Sequence, residues 1–333
     1  MVKRFPMGIP FGWFFVSYSD EIAAGEVKPL RYFGRDLVIF RGEDGKAAVL
    51  DAYCPHLGAH LGKGGCVEGN SIRCPFHSWA FDAEGMCTDI PYAKVFPPKL
   101  KREPLAEAYP VTEANGVVWA WYHPHGVKPM YDVIHYPDFE GDPAFAPQVR
   151  REWRFASNPQ EIAENGVDVA HFEYVHRMDA VPEGTTTYDG HIRVSEAHGH
   201  RNIKMPDGEE KVLPSSVRTV QNGAGQKYTR LKGVVDLSLM VLATPVEADD
   251  VELRFCFTYP KAEEGSPQHK AAMAAIAGTC GQTGVEGDIP IWANKIHRVK
   301  PFLCDGDGPI LRFRRYFEQF YANDLEPHQM AAE

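Results

Sequence analysis

The chain has 333 residues, with 35 Lys and Arg against 45 Asp and Glu and a formal net charge of −10. That balance excludes nucleic acid and anionic membrane as its main partners. With 44% hydrophobic residues, it can fill about two cores at roughly 150 residues each. The longest early apolar run, residues 9–18, is interrupted by Pro10, Gly12 and Ser17, short of the about 20 apolar residues a spanning helix needs. No secretory leader is read after Lys3 and Arg4, so a cytoplasmic location is expected.

In chain order, the first elements are short strands. Apolar runs at 37–40 and 47–50 flank Glu43-Asp44-Gly45-Lys46, a hairpin signal. Residues 117–121, Val-Val-Trp-Ala-Trp, form another strand candidate. The following stretch carries Pro124, Pro129, Pro137, Pro143 and Pro147, a density that no long helix or central strand tolerates. The boundary is drawn there, giving an all-β domain over 1–125 and a second domain over 126–333. In the second, 159–176 reads as a helix and 189–260 as strand-rich, with helices near 270–277 and 308–321. The expected fold class is α+β: a helix-grip-like antiparallel sheet with helices grouped against it. The polar last eight residues are expected to fray.

The chain has seven cysteines. An odd count in a reducing compartment argues against a disulfide framework and for metal ligation wherever they pair with histidine. Cys66, Cys87, Cys256, Cys280 and Cys304 lack such spacing and read as ordinary small buried residues. Cys54-Pro55-His56 and Cys74-Pro75-Phe76-His77 differ: together they read C-x-H-x17-C-x2-H. Two thiolates on one iron and two imidazoles on the other make a mixed-ligand [2Fe–2S] cluster. Neutral imidazoles remove negative charge and raise the potential to about −150 to +300 mV. Tetrahedral zinc would accept the same donors, but its ligands more often come as C-x2-4-C and H-x3-5-H. The segments resemble the Rieske iron–sulfur family, down to the Cys-Pro-Phe-His-Ser-Trp that closes the pattern.

Residues 165–176 read N-x2-D-x2-H-x4-H, through Asn165, Asp168, His171 and His176. On an ideal helix, at about 100° per residue, histidines five apart point roughly 140° apart. They reach one metal only if the helix is distorted or ends between them, and a π-bulge would serve. Two histidines and a carboxylate make the facial triad of non-haem Fe(II) oxygenases, which leaves positions open for dioxygen.

With both constellations in place, the chain resembles the Rieske non-haem iron oxygenases, in their oxygenase component. The resemblance implies a third iron ligand from an Asp late in the chain, near the start of a helix. Asp307 is assigned, with Asp305 the alternative; both also read as helix-start acids. It implies that Asp168 links His171 to the cluster histidine His77 of a neighbouring subunit, in a head-to-tail trimer. Asn165 is carried as a lesser candidate at the site. No G-x-G-x-x-G fingerprint is present, so NAD(P)H would enter through a separate ferredoxin or flavin reductase, with O2 as co-substrate.

Residues 168–176, Ile291 to Lys295, Asp307 to Ile310 and Arg314 to Tyr321 resemble the steroid branch: 3-ketosteroid 9α-hydroxylase, cholesterol 7-desaturase and bacterial sterol C4-demethylating oxygenases. A steroid or sterol is the expected substrate, and an aromatic acid or amine is the alternative on the same architecture. A non-catalytic electron carrier or zinc-stabilised binding protein is disfavoured by the chain's length and by the His171/His176 pair. Trp292 and the aromatics of 316–321 are read mainly as core.

Overall fold

The structure is a computed structural model that describes residues 3–176, 183–204, 210–233 and 235–322. The expected frayed tail, 326–333, lies outside them. The chain divides into two compact units, Gly12–His135 and Met1–Phe11 with Tyr136–Glu333. The division falls at 135/136 rather than 125/126, and the first eleven residues join the second unit. Backbone and side-chain bonds hold them there: Phe11 N–H donates to the Phe320 carbonyl at 2.7 Å, and Asn158 Nδ2 donates to the Gly8 carbonyl at 3.0 Å.

The first unit is built from β1 (Gly12–Tyr18), β2 (Val27–Tyr32), β3 (Arg35–Arg41), β4 (Ala47–Asp51), β5 (Cys66–Glu68), β6 (Ser71–Arg73), β7 (Ala80–Phe81), β8 (Cys87–Asp89), β9 (Ala108–Tyr109), β10 (Val111–Ala114) and β11 (Val117–Tyr122). They form three antiparallel sheets, β1-β11-β10, β2-β3-β4-β9 and β5-β6-β7-β8. The expected hairpin is β3–β4. Val38, Phe40, Leu50, Leu61, Ile72 and Phe81 form one core, and Cys54 and Cys74 are packed into it.

The second unit holds β12 (Val149–Phe155), β13 (Glu183–Asp189), β14 (Ile192–Lys204), β15 (Glu210–Asn222), β16 (Gln226–Lys232), β17 (Leu237–Glu247) and β18 (Asp250–Thr258). They make one sheet in the order β12-β18-β17-β16-β15-β14-β13. The helices are α1 (Pro159–Glu164), α2 (His171–Tyr174), α3 (Pro267–Cys280), α4 (Val285–Asn294) and α5 (Ile310–Phe317). The fold is α+β. Alternate residues of β17 and β18, among them Leu239, Val241, Leu253 and Phe255, meet Ala272, Ile276 and Trp292 of α3 and α4 in the core. None of the described helices is long and apolar enough to cross a membrane.

Three expectations need correction. The single helix over 159–176 is two helices: α1 ends at Glu164 and α2 begins at His171. Helix α4 lies outside the expected helices; Gly281, Gly284, Gly287 and Pro290, in and before it, are residues that disfavour helix. Pro290 nevertheless sits within the helix. Cys66 and Cys304 are exposed rather than buried. Cys66 lies on the short β5, and Cys304 lies in the loop before α5.

Candidate metal centres

In the first unit, two loops of the same construction face each other. The Gly58 N–H donates to the Cys54 carbonyl at 2.9 Å, and the Ser78 N–H donates to that of Cys74 at 3.0 Å. One residue further on, the Ala59 and Trp79 carbonyls accept from the Cys54 and Cys74 N–H groups at 2.9 and 2.8 Å. The closing position is left-handed in both loops, with φ 75 at Gly58 and φ 58 at Ser78. Glycine takes that conformation at no steric cost, whereas Ser78 holds it against one. Gly65 is also fixed by space, since a Cβ there would lie 2.1 Å from the Leu61 carbonyl oxygen.

Each loop thus presents one buried thiol and one half-buried imidazole. The His56 and His77 rings lie 5.0 Å apart at 72°. Trp79 stacks on His56 at 4.4 Å and 8°, and its indole N–H donates to Tyr92 Oη at 2.8 Å. Among the described residues, the buried His77 Nδ1 has no hydrogen-bond partner. Burial pushes the Cys54 thiol up to about 11. An orphaned imidazole nitrogen and two buried thiols are groups that a metal cluster satisfies and that a dry protein interior does not. The four residues fit a [2Fe–2S] group.

In the second unit, the three side chains that converge are His171, His176 and Asp288, whose candidate ligand atoms all lie within 4.8 Å of one another. The two imidazole rings are 4.8 Å apart at 74°, and His176 Nε2 lies 3.4 Å from Asp288 Oδ2. The five-residue spacing is accommodated as geometry requires. Helix α2 stops at Tyr174, and the His176 N–H reaches the His171 carbonyl at 3.4 Å in a π-type turn.

The His171 ring is oriented by a short bond between Nδ1 and the Asp168 backbone carbonyl. Nδ1 is therefore the protonated nitrogen, and Nε2 keeps its lone pair. Burial, against that bond, lowers the His171 pKa and favours the neutral ring. Among the described residues, the buried His176 Nδ1 has no hydrogen-bond partner. Donors of this type, two imidazoles and a carboxylate, suit a non-haem Fe(II).

Asp288 enters from α4, in its first turn. Gly287 lets α4 approach: a Cβ there would stand 3.3 Å from Val175 Cγ1 and 2.5 Å from the Gln282 carbonyl. One turn on, Trp292 Nε1 donates to Asn165 Oδ1 at 3.2 Å, tying α4 to the segment that leads into α2. Asn165 is thus a positioning residue for both halves of the site. The Arg4 guanidinium closes the end of α4, donating to the Trp292, Ala293 and Lys295 carbonyls.

The assignment of Asp307 does not match this geometry. Its Oδ2 accepts from the Cys304 N–H at 2.7 Å, so it caps the loop before α5. Asp305 is exposed. Neither belongs to the cluster of potential ligands among the described residues. Asp307 and Asp168 instead share the wall of a charged cavity of about 200 Å³, with Glu164, Lys295 and Arg314. The Asp168 carboxylate turns inward on its own turn, with Oδ1 3.4 Å from the His171 N–H. What could have pointed to Asp288 is the signal that was used for Asp307: an acid in the first turn of a helix late in the chain.

A Rieske [2Fe-2S] domain model matches residues 12–106, and the model of the 3-ketosteroid 9alpha-hydroxylase C-terminal domain matches residues 120–321. A probable 3-ketosteroid-9-alpha-monooxygenase oxygenase component of Rhodococcus rhodochrous is 32% identical, over 96% of this chain and 82% of that one. The cholesterol 7-desaturase of Bombyx mori is 30% identical, over 97% and 72%. Dicamba monooxygenase bound to dicamba, at 17% identity, shares the fold with a TM-score of 0.70 over 93% of this chain and 96% of its own. The two-domain layout and the two donor sets define a Rieske-type non-haem iron oxidoreductase. Within that class, the chain belongs to the family with the 3-ketosteroid 9α-hydroxylase type of catalytic domain. A Rieske [2Fe–2S] cluster and a non-haem iron are its cofactors.

Proposed function

We propose that this chain is the oxygenase component of a multicomponent monooxygenase acting on a steroid or sterol. Cys54, His56, Cys74 and His77 hold the [2Fe–2S] cluster, and His171, His176 and Asp288 hold the iron. The observation that carries the reading is the convergence of His171, His176 and Asp288, in a chain matched over both domains by steroid-type relatives.

When bound, the two groups supply single-electron transfer and dioxygen activation. The protein's part is orientation. The Asp168 carbonyl fixes which nitrogen His171 presents, and α4 delivers Asp288 against His176. Asn165 and Trp292 hold the two segments in register. The half-buried His56 and His77 would hold the cluster on its imidazole side. Around them Leu57 is 64% and Phe76 62% exposed, a face suited to a separate reductase chain that draws on NAD(P)H. In this reading O2 is co-substrate, Asp168 is the electron bridge to the cluster of a neighbouring subunit, and the assembly is a cytoplasmic trimer.

The test is direct. Protein reconstituted with iron and sulfide is incubated anaerobically with a panel of steroids, sterols, aromatic acids and amines, then reduced, exposed to O2 and analysed by product mass. A steroid or sterol gaining one oxygen is the expected result. Oxidation of the aromatic acids alone contradicts the substrate assignment. A colourless zinc protein contradicts the whole.

A further inference from the structure

Arg193, at the start of β14, is fully buried, with 0% of its surface exposed. Among the described residues its Nε, Nη1 and Nη2 all lack a hydrogen-bond partner. The groups that act on its charge are the phenols of Tyr316 and Tyr188, with no carboxylate among them, and desolvation is the larger influence. Arginine stays protonated in proteins, so among the described residues this is a buried cation without a counter-charge. Such a group is among the costliest to bury unless something binds it.

The register places it on the helix-covered face of the sheet. Tyr188 pairs with Arg193, Arg193 with Gln221, Gln221 with Lys227, Lys227 with Val241 and Val241 with Phe255. Side chains directly opposite one another in a ladder share a face, and Val241 and Phe255 belong to the core under α3 and α4. The row thus runs from an apolar end to a polar one. Among the described residues the polar end is unsatisfied: Tyr188 Oη and Gln221 Oε1 are also buried without hydrogen-bond partners. A cavity of about 20 Å³, room for about one water, is bounded by Gln221, Lys227 and Val241 in the middle of the row.

The guanidinium also adjoins the metal-site segment. A Cβ on Gly166 would lie 2.7 Å from Arg193 Nη2, and Gly166 follows Asn165. Phe313 covers the other side, with Arg193 Cζ 5.3 Å from its ring centroid. Lys227, half-buried, is drawn down to about 8, first by desolvation and then by Arg193, while Asp288 acts in the opposite sense. Among the described residues, no carboxylate is paired with Arg193.

We propose that Arg193 binds a carboxylate carried by the substrate, so that the molecule oxidised is a hydrophobic acid with its body against Val241 and Phe255. The fork of a guanidinium matches a carboxylate in two parallel bonds, and the Tyr188 hydroxyl supplies a further donor. A monocarboxylate balances the one arginine. The inference rests on reading the second unit as the oxygenase site, and it narrows the substrate class within that reading.

The experiment uses the iron-loaded protein without oxygen and measures binding by calorimetry. The ligands are two matched pairs, a 3-oxo steroid with a side-chain carboxylate and its methyl ester, and a polycyclic aromatic acid and its methyl ester. A neutral 3-oxo steroid is added. In at least one pair the acid binds about 10- to 100-fold more tightly than the ester. Arg193→Met abolishes that preference without loss of iron or of the circular dichroism spectrum, and its ligand-free melting temperature does not fall. Arg193→Lys keeps part of the preference, and it serves if the Met variant does not fold. Equal binding of acid and ester in both pairs, or a preference that survives Arg193→Met, overturns the inference. An acid preference confined to the aromatic pair upholds the role of Arg193 and removes the steroid. Binding of the neutral steroid with no acid preference does the reverse.

Discussion

The two metal centres are assembled in opposite ways. The cluster loops are local: two short segments of one small domain, each closed by the same pair of backbone bonds to its own cysteine. The mononuclear site is distant. His171 and His176 come from one turn, and Asp288 comes from a helix more than a hundred residues later. A local site is written in the spacing of its residues. A site closed by tertiary packing depends on how a helix docks, here through Gly287, the Asn165–Trp292 bond and the Arg4 cap. Loss of a ligand should therefore be confined to its own centre, and loss of a docking contact should be felt only at the second.

The largest effect expected is at the local site. Cys54→Ser or Cys74→Ser removes the visible absorbance of the cluster while the mononuclear iron stays, read as a fall in total iron together with retained iron at the second site. A colour loss accompanied by loss of the mononuclear iron as well breaks the claim that the centres are independent. Next is Asp288→Ala, which should lower iron affinity and turnover by more than about 100-fold, beyond the 10- to 100-fold typical of an outer partner. The absorbance of the cluster should not change.

A docking contact comes third. Glu161 is fully buried in α1 and holds Lys295 Nζ and His297 Nδ1, each at 2.7 Å, just past the end of α4. Glu161→Gln leaves those groups uncompensated and should cost about 3–5 kcal/mol in unfolding free energy. Burial pushes the Glu161 carboxyl up, but the hydrogen bond from His297 and the charge of Lys295 outweigh it and hold its pKa below the ordinary 4.5. A depressed folded pKa means that this stability is present above 4.5 and is lost as pH falls through the folded value. Melting curves of the two proteins should thus converge in acid. A gap that widens there would contradict the assignment.

The smallest effect is at Asp307. Asp307→Ala frees only the Cys304 N–H, in an exposed loop. It should cost about 1 kcal/mol and leave iron content unchanged.

The same contrast explains what the sequence made legible. Cys54, His56, Cys74 and His77 were read from spacing because each loop supplies its own geometry. The β3–β4 hairpin is legible in Glu43-Asp44-Gly45-Lys46 for the same reason, and α3 in its alanine-rich stretch near 270–277. His171 and His176 were read together with the need for a break between them, since helical angle is a local property. Asp288 was missed because α4 itself was missed. Its glycines and Pro290 score as breakers, and only the packed unit reveals that Gly287 exists to let the helix approach Val175. Asp307 drew attention because it also sits before a helix; its carboxylate simply has a nearer donor. Arg193 carried no signal at all, since nothing in a strand sequence says that a cation will be buried without a partner.

The central claim is that Asp288, His171 and His176 share one iron. It is tested most directly by metal analysis of the Asp288→Ala and Asp307→Ala proteins, both with their clusters intact by visible absorbance. Asp307→Ala should retain the mononuclear iron and Asp288→Ala should lose it. Retention in Asp288→Ala with loss in Asp307→Ala would contradict the claim.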